Sequence, residues 1–137
     1  MKRVLVFGTY DHLHPGHEFF FKQARTYGDA LVVVVARDQT VRAVKSRAPV
    51  QSENTRLQAL EKHVLIDKAV LGSLGDKYAV IEEVSPDVIV LGYDQQAFTS
   101  RLEEELEARG LRCEVVRVEK SFFPNKYKSS LLRVQDT

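Results

Sequence analysis

VLVFGTYDHLHPGH, residues 4–17, joins three structural signals without a break. Val4 to Phe7 is a short continuous apolar run ending at Gly8, and it reads as a strand buried on both faces. Pro15 suits the first turn of a helix, where its missing N–H costs nothing. Between them lies a polar loop holding His12, His14 and His17, three of the four histidines of the chain. The same alternation recurs downstream. The first helix should carry Phe19, Phe20 and Ala24 inward and stop near Gly28. Leu31–Val35, rich in β-branched residues, is a second buried strand. Ser52 is a plausible N-cap for a helix reaching about Val64, with Leu57, Leu60 and Val64 on its apolar face and His63 within it.

A third strand is expected over Lys68–Leu71 and a short helix over Tyr78–Val84, stopped by Ser85-Pro86. Asp87–Leu91, ending at Gly92, is the fourth strand. Phe98, Leu102 and Leu106 mark a helix that ends at Gly110. Cys113–Val118 is the fifth strand, and Ser129–Val134 a last short helix. Alternating helices and continuous apolar strands imply an α/β fold, a single doubly wound parallel five-stranded sheet with helices on both faces. Right-handed crossovers favour the order 3-2-1-4-5. Strands 1 and 4 are then neighbours, and ligands bind beyond their carboxyl ends, where the winding reverses. GTYDHLHPGH and GYDQ (residues 92–95) leave those two ends side by side.

At 137 residues, the chain reads as one domain, residues 1–137, because typical domains run to about 100–200 residues. A hydrophobic fraction of 44% and a charged fraction of 28% are those of an ordinary globular protein. The formal net charge of +1 argues against nucleic acid as the main partner. One cysteine, Cys113, excludes an intrachain disulfide and suggests a reducing compartment. The longest apolar run, Ala30–Ala36, is too short to cross a bilayer. Met1 runs straight into a strand-like segment with no signal pattern. A soluble cytoplasmic protein without a membrane partner is the expectation.

Histidine-x-histidine after a strand can open a divalent metal site, but the only other histidine, His63, is placed on a helix. No protein-held metal is expected. His12 reads as a loop residue without a chemical role. His14 and His17 lie three apart across a Pro-Gly helix start, so both rings fall near the first turn. That turn offers free N–H groups and a positive dipole end to an anion, and Gly16 lets a ligand approach the backbone. Two imidazole N–H groups there can hydrogen-bond phosphate oxygens. Neither a G-x-x-x-x-G-K-[ST] loop nor a G-x-G-x-x-G turn is present, so a phosphate site must be built from histidines and a helix terminus.

Gly8-Thr9-Tyr10-Asp11 followed by His14-Pro15-Gly16-His17 resembles the G-[TS]-[FY]-D…H-x-G-H signature of the small nucleotidyltransferases. These include cytidylyltransferases, pantetheine-phosphate adenylyltransferase and the archaeal-type FAD synthases. KYKSSLLR, residues 126–133, resembles the K-S-S stretch that opens a C-terminal helix in the family. The resemblance implies the Rossmann-like fold of HIGH-type nucleotidyltransferases, and an attack by an acceptor phosphate on the α-phosphorus of a nucleoside triphosphate. It assigns catalysis to His14, His17 and Lys45. It places Thr9, Tyr10, Asp11, Gly16, Arg56, Gly92, Asp94, Gln95, Tyr127, Ser129 and Ser130 at the nucleotide. It further implies Mg2+ with the triphosphate, and a homodimer. Asp11 reads equally as a turn residue, Ser129 as a helix cap, and Lys45 and Arg56 as solvated charges.

The R-Y-[VA]-D-E stretch of glycerol-phosphate and choline-phosphate cytidylyltransferases is missing, since HVLIDKAV stands in its place, and the chain has no tryptophan. DVIVLGYDQ, LVVVVARD and KYKSS look most like the archaeal-type FAD synthases, which transfer AMP from ATP to FMN. SFFPNKY, residues 121–127, offers Phe122, Phe123 and Tyr127 as a flavin slot or as packing. Other acceptors remain open: glycerol 3-phosphate with CTP, or a sugar phosphate with an adenylyltransferase. So does a nucleotide-binding regulatory protein that has lost turnover.

Overall fold

The computed structural model describes residues 2–76, 78–92 and 101–118. Five parallel strands form one sheet in the order β3-β2-β1-β4-β5. They are β1 (Arg3–Gly8), β2 (Ala30–Val35), β3 (Lys68–Leu71), β4 (Val88–Leu91) and β5 (Glu114–Arg117). The described helices are α1 (Pro15–Arg25), α2 (Asp38–Lys45), α3 (Glu53–Glu61), α4 (Ala79–Val84) and α5 (Leu102–Ala108). Side chains alternate across the sheet, so each strand feeds two cores. Val4, Val6, Val33 and Val35 pack with Phe21 and Ala24 of α1 and Leu60 of α3 on one face. Leu5, Phe7, Val32 and Val34 pack with Val80 and Ile81 of α4 and Leu102 and Leu106 of α5 on the other. This is the doubly wound sheet expected from the alternation.

The departures have local causes. In α1 the buried phenylalanine is Phe21, with Phe19 and Phe20 only half-buried. The helix ends at Arg25, capped by Thr26, and does not reach Gly28. Gly28 serves close packing: a Cβ there would stand 2.7 Å from Val4 Cγ2 and 2.8 Å from the Lys2 carbonyl oxygen. Ser52 does cap α3, accepting from Thr55 N at 3.2 Å, but the helix stops at Glu61. Val64 is therefore not on an apolar face; it is 92% exposed. His63 lies past the helix end, where its Nδ1 accepts from Leu65 N and its ring meets Phe21 edge-on.

Helix α2 was not anticipated, because DQTVRAVK buries only Val41. That side chain contributes about 1.5–3 kcal/mol. Ordering a residue's backbone costs roughly 1–2 kcal/mol, so eight residues need more than one apolar anchor. Polar anchors supply it. Arg37, the N-cap, makes no side-chain cap bond. Instead Glu53 of α3 accepts from Asp38 N at 2.8 Å and from Arg37 Nε at 3.1 Å.

Candidate active site

Strands β1 and β4 pair with Leu5 opposite Ile89, so extending the register by three residues brings Gly8 level with Gly92. The loop after β1 thus leaves the sheet at the reversal of winding, the usual ligand position in such folds. The chain bends at Tyr10, whose φ of 54° lies in the left-handed region that non-glycine residues rarely adopt. That bend turns the Tyr10 side chain into the core, where it is 1% exposed and donates from its hydroxyl to the Phe7 carbonyl at 3.1 Å. Its ring meets His17 edge-on at 5.2 Å and Phe21 at 5.4 Å. The Tyr10 side chain is thus a buried wedge behind the histidines. Gly8 makes room for it, since a Cβ there would lie 2.5 Å from the tyrosine ring.

His14 caps α1, and the two histidines bind each other's backbone neighbourhood. His14 Nδ1 accepts from Gly16 N at 3.1 Å, and His17 Nδ1 accepts from His14 N at 3.3 Å. An accepting Nδ1 leaves Nε2 to carry the proton of a neutral imidazole. The rings stack with centroids 3.8 Å apart. Both Nε2 atoms are buried and have no hydrogen-bond partner among the described residues. Burial holds the pKa of His14 below its ordinary value. His17 is pushed down to about 3, first by burial and then by the charges of His14 and Lys45. The site therefore offers two neutral, desolvated N–H donors side by side, an arrangement suited to spread negative charge on phosphate oxygens.

One sequence expectation changes with this geometry. The first-turn N–H groups of α1 are not free for an anion: Gly16 N donates to the His14 ring, and His17 N to the His14 carbonyl at 2.9 Å. Pro15 has none. The donors left without partners at this turn, among the described residues, are the imidazole Nε2 atoms.

Arg56 also lies elsewhere than expected. It is 0% exposed, and its guanidinium donates to Thr9 O at 2.7 Å, Asp38 Oδ1 at 2.7 Å and Gln51 O at 3.1 Å. It is an internal brace and is not turned toward a ligand. Asp11 accepts from Val50 N and Gln51 N, both at 2.7 Å, and these bonds help hold its carboxyl below the usual range. Thr9 is buried at the end of β1. Lys45 closes α2, close enough to His17 for its charge to act there. His12 is exposed. Gly92 caps β4, its carbonyl accepting from Arg117 Nη1 at 2.9 Å. Asp94, Gln95, Tyr127, Ser129 and Ser130 lie outside the described residues, as do Phe98, Phe122, Phe123 and the helix expected over residues 129–134.

Asp38 is the residue sequence reasoning missed. Its signal was a buried arginine needing a carboxylate, which no spacing reveals. Among the described residues no group of three or more metal-ligating side chains occurs, and no helix is long and apolar enough to cross a membrane.

Comparison with known proteins agrees with this geometry. The chain is 48% identical over 120 residues to an FAD synthase of Aciduliprofundum boonei, covering 88% of this chain and 80% of that one. It is 48% identical over 118 residues to an FAD synthase of Methanosarcina acetivorans, covering 86% and 77%. A crystal structure of a lipopolysaccharide core biosynthesis protein from Thermoplasma volcanium superposes with a TM-score of 0.83 at 38% identity, covering 89% of this chain and 98% of that one. Residues 5–135 match the cytidylyltransferase-like family, and with the paired histidines at the switch of a 3-2-1-4-5 sheet the chain belongs to that family.

Proposed function

We propose that this protein is an FMN adenylyltransferase, transferring AMP from ATP to the phosphate of FMN to give FAD and pyrophosphate. The nucleotidyl-transfer chemistry rests on the two buried Nε2–H donors at the start of α1, unpartnered among the described residues. The choice of FMN rests on relatives named FAD synthase that are 43–48% identical over most of the chain. A phosphate oxygen of FMN attacks the α-phosphorus of ATP in line, and the bond to the β-phosphate breaks. No covalent enzyme intermediate is needed, so catalysis is positioning and charge stabilisation. His14 and His17 donate from Nε2 to phosphate oxygens as charge builds on them, and Lys45 adds a cation beside them. Magnesium enters with ATP as part of the substrate: the Asp11 oxygens are occupied by backbone N–H groups, and both Nδ1 lone pairs by amides. By family resemblance the enzyme is a homodimer, which sedimentation at micromolar concentration checks.

The deciding experiment is pyrophosphate release in magnesium, with ATP or CTP crossed against FMN, glycerol 3-phosphate and a sugar 1-phosphate. Release with ATP plus FMN, with FAD as product, is expected. The sugar 1-phosphate arm answers the Thermoplasma likeness, whose protein is described by lipopolysaccharide core biosynthesis. Release with CTP plus glycerol 3-phosphate alone would retain the histidine chemistry and overturn the flavin acceptor.

A further inference from the structure

Helix α2 carries Lys45 in its last turn yet buries only Val41, and Val44 beside the lysine is 60% exposed. Packing alone does not set where that lysine stands. Besides the Glu53 contacts at the start of α2, polar ties through Asp38, Asp11 and Arg56 hold both ends of the segment. At the start of α2, Asp38 Oδ1 accepts from Arg56 Nη2, while the same guanidinium donates to Thr9 O at the end of β1. Past its end, Ser46 takes a left-handed conformation (φ 60°) and the chain turns into residues 47–51. There Asp11, from the histidine loop, receives Val50 N and Gln51 N, and Arg56 Nε donates to Gln51 O. The segment bearing Lys45 is thus tied on both sides of the lysine to residues 9 and 11, five and three positions before His14 in the chain.

We propose that Asp11, Asp38 and Arg56 are positioning residues that fix Lys45 against the His14–His17 pair. None of the three presents its side chain as a phosphate ligand. Arg56 is fully buried with internal bonds, and both oxygens of Asp11 are engaged by backbone amides. Their effect on turnover should therefore run through the lysine. A misplacement of about 1 Å at a charge-stabilising group can cost on the order of 100-fold in rate.

This inference rests on the proposed adenylyl transfer, and a double-mutant cycle tests it. Wild-type turnover of ATP plus FMN is measured first, so that failure of that reading is seen separately. Asp11→Asn keeps the side-chain volume and one accepting oxygen but places an NH2 against a backbone N–H. In the wild-type background it should lower kcat by about 10- to 100-fold, with a far smaller change in the KM for FMN. In a Lys45→Ala background the same substitution should change kcat by less than about two-fold, because the group it positions is gone. Asp38→Asn, acting at the opposite end of α2, should behave alike, and circular dichroism confirms that each variant is folded. Equal fold-losses in both backgrounds overturn the proposal, as would an Asp11→Asn enzyme with wild-type kcat. A Lys45→Ala enzyme with wild-type kcat overturns it too, since there would be nothing to position.

Discussion

His14 and His17 each spend Nδ1 on a backbone amide, and this decides what the rings can do. In the proposed chemistry they serve as Nε2–H donors and not as bases, with the neutral imidazole as the working form. With His17 held at about 3 and His14 below its ordinary value, kcat/KM should show no inflection near pH 6.5 from either histidine. A pH–rate profile between 5 and 8 checks this, and an acidic limb centred on 6.5 that vanishes in His17→Ala would contradict it. His17→Ala itself should lower kcat by roughly 100- to 1,000-fold, as loss of a preorganised donor does. His17→Gln, which can place an amide N–H near the Nε2 position, should retain more of the rate. Behind His17 stands the Tyr10 ring, and Gly8 is the space it needs. Gly8→Ala must displace that ring, so we expect destabilisation of about 1–3 kcal/mol together with reduced kcat. An unchanged melting midpoint in urea would show that the wedge yields freely.

Aspartates fasten the amino ends of three strands. Asp29, Asp67 and Asp87 each stand one residue ahead of β2, β3 and β4 and accept from Lys2 N, Leu31 N and Arg3 N respectively, at 2.7–2.8 Å. Each also donates its own N–H to the carbonyl of that same neighbour, at 2.7–2.9 Å. The pairs fasten the amino ends of adjacent strands, leaving the carboxyl ends to the ligand. Asp87→Ala should cost about 1 kcal/mol, and Ser52→Ala, removing the α3 cap, about the same; urea unfolding at pH 7 measures both. These features also mark how far the chain can be read unaided. Apolar runs such as Leu31–Val35 and Asp87–Leu91 located every strand to within a residue, because a buried parallel strand has no alternative use for them. The histidine pair was legible for the same reason, as local spacing across Pro15-Gly16. Helix α2 was not, since its stability comes from Glu53 and Arg56 far along the chain rather than from its own periodicity. Arg56 itself read as a nucleotide contact or a solvated charge, because nothing near it in sequence announces Asp38.

Taken across the whole molecule, apolar burial and charge are segregated. Among the described residues the buried ionised side chain is Arg56, which is paired with Asp38 at the carboxyl edge. Charged anchors gather at the rims: Asp11 and Glu53 above, Asp67 below, and Asp76 with Glu82 and Glu105 around Arg109 on the α4–α5 side. Asp11, Glu53, Asp67 and Asp76 are all held below the usual carboxylate range by the bonds they accept. Their stabilisation is present above about pH 4 and lost as pH falls through their lowered values. His17 adds to the loss at higher pH. Its ordinary pKa near 6.5 falls to about 3 in the fold, so between those values the unfolded chain binds a proton the native one does not. Stability should therefore decline from pH 6.5 downward, with His17 contributing a slope approaching about 1.4 kcal/mol per pH unit. Urea unfolding at pH 7, 6, 5 and 4 reads this slope directly. His17→Gln removes the proton in question, so its stability should fall less steeply between pH 6 and 4. Parallel curves for the two proteins would mean that His17 takes up its proton in the folded state, and that the stacked imidazoles are not the neutral donor pair the geometry describes.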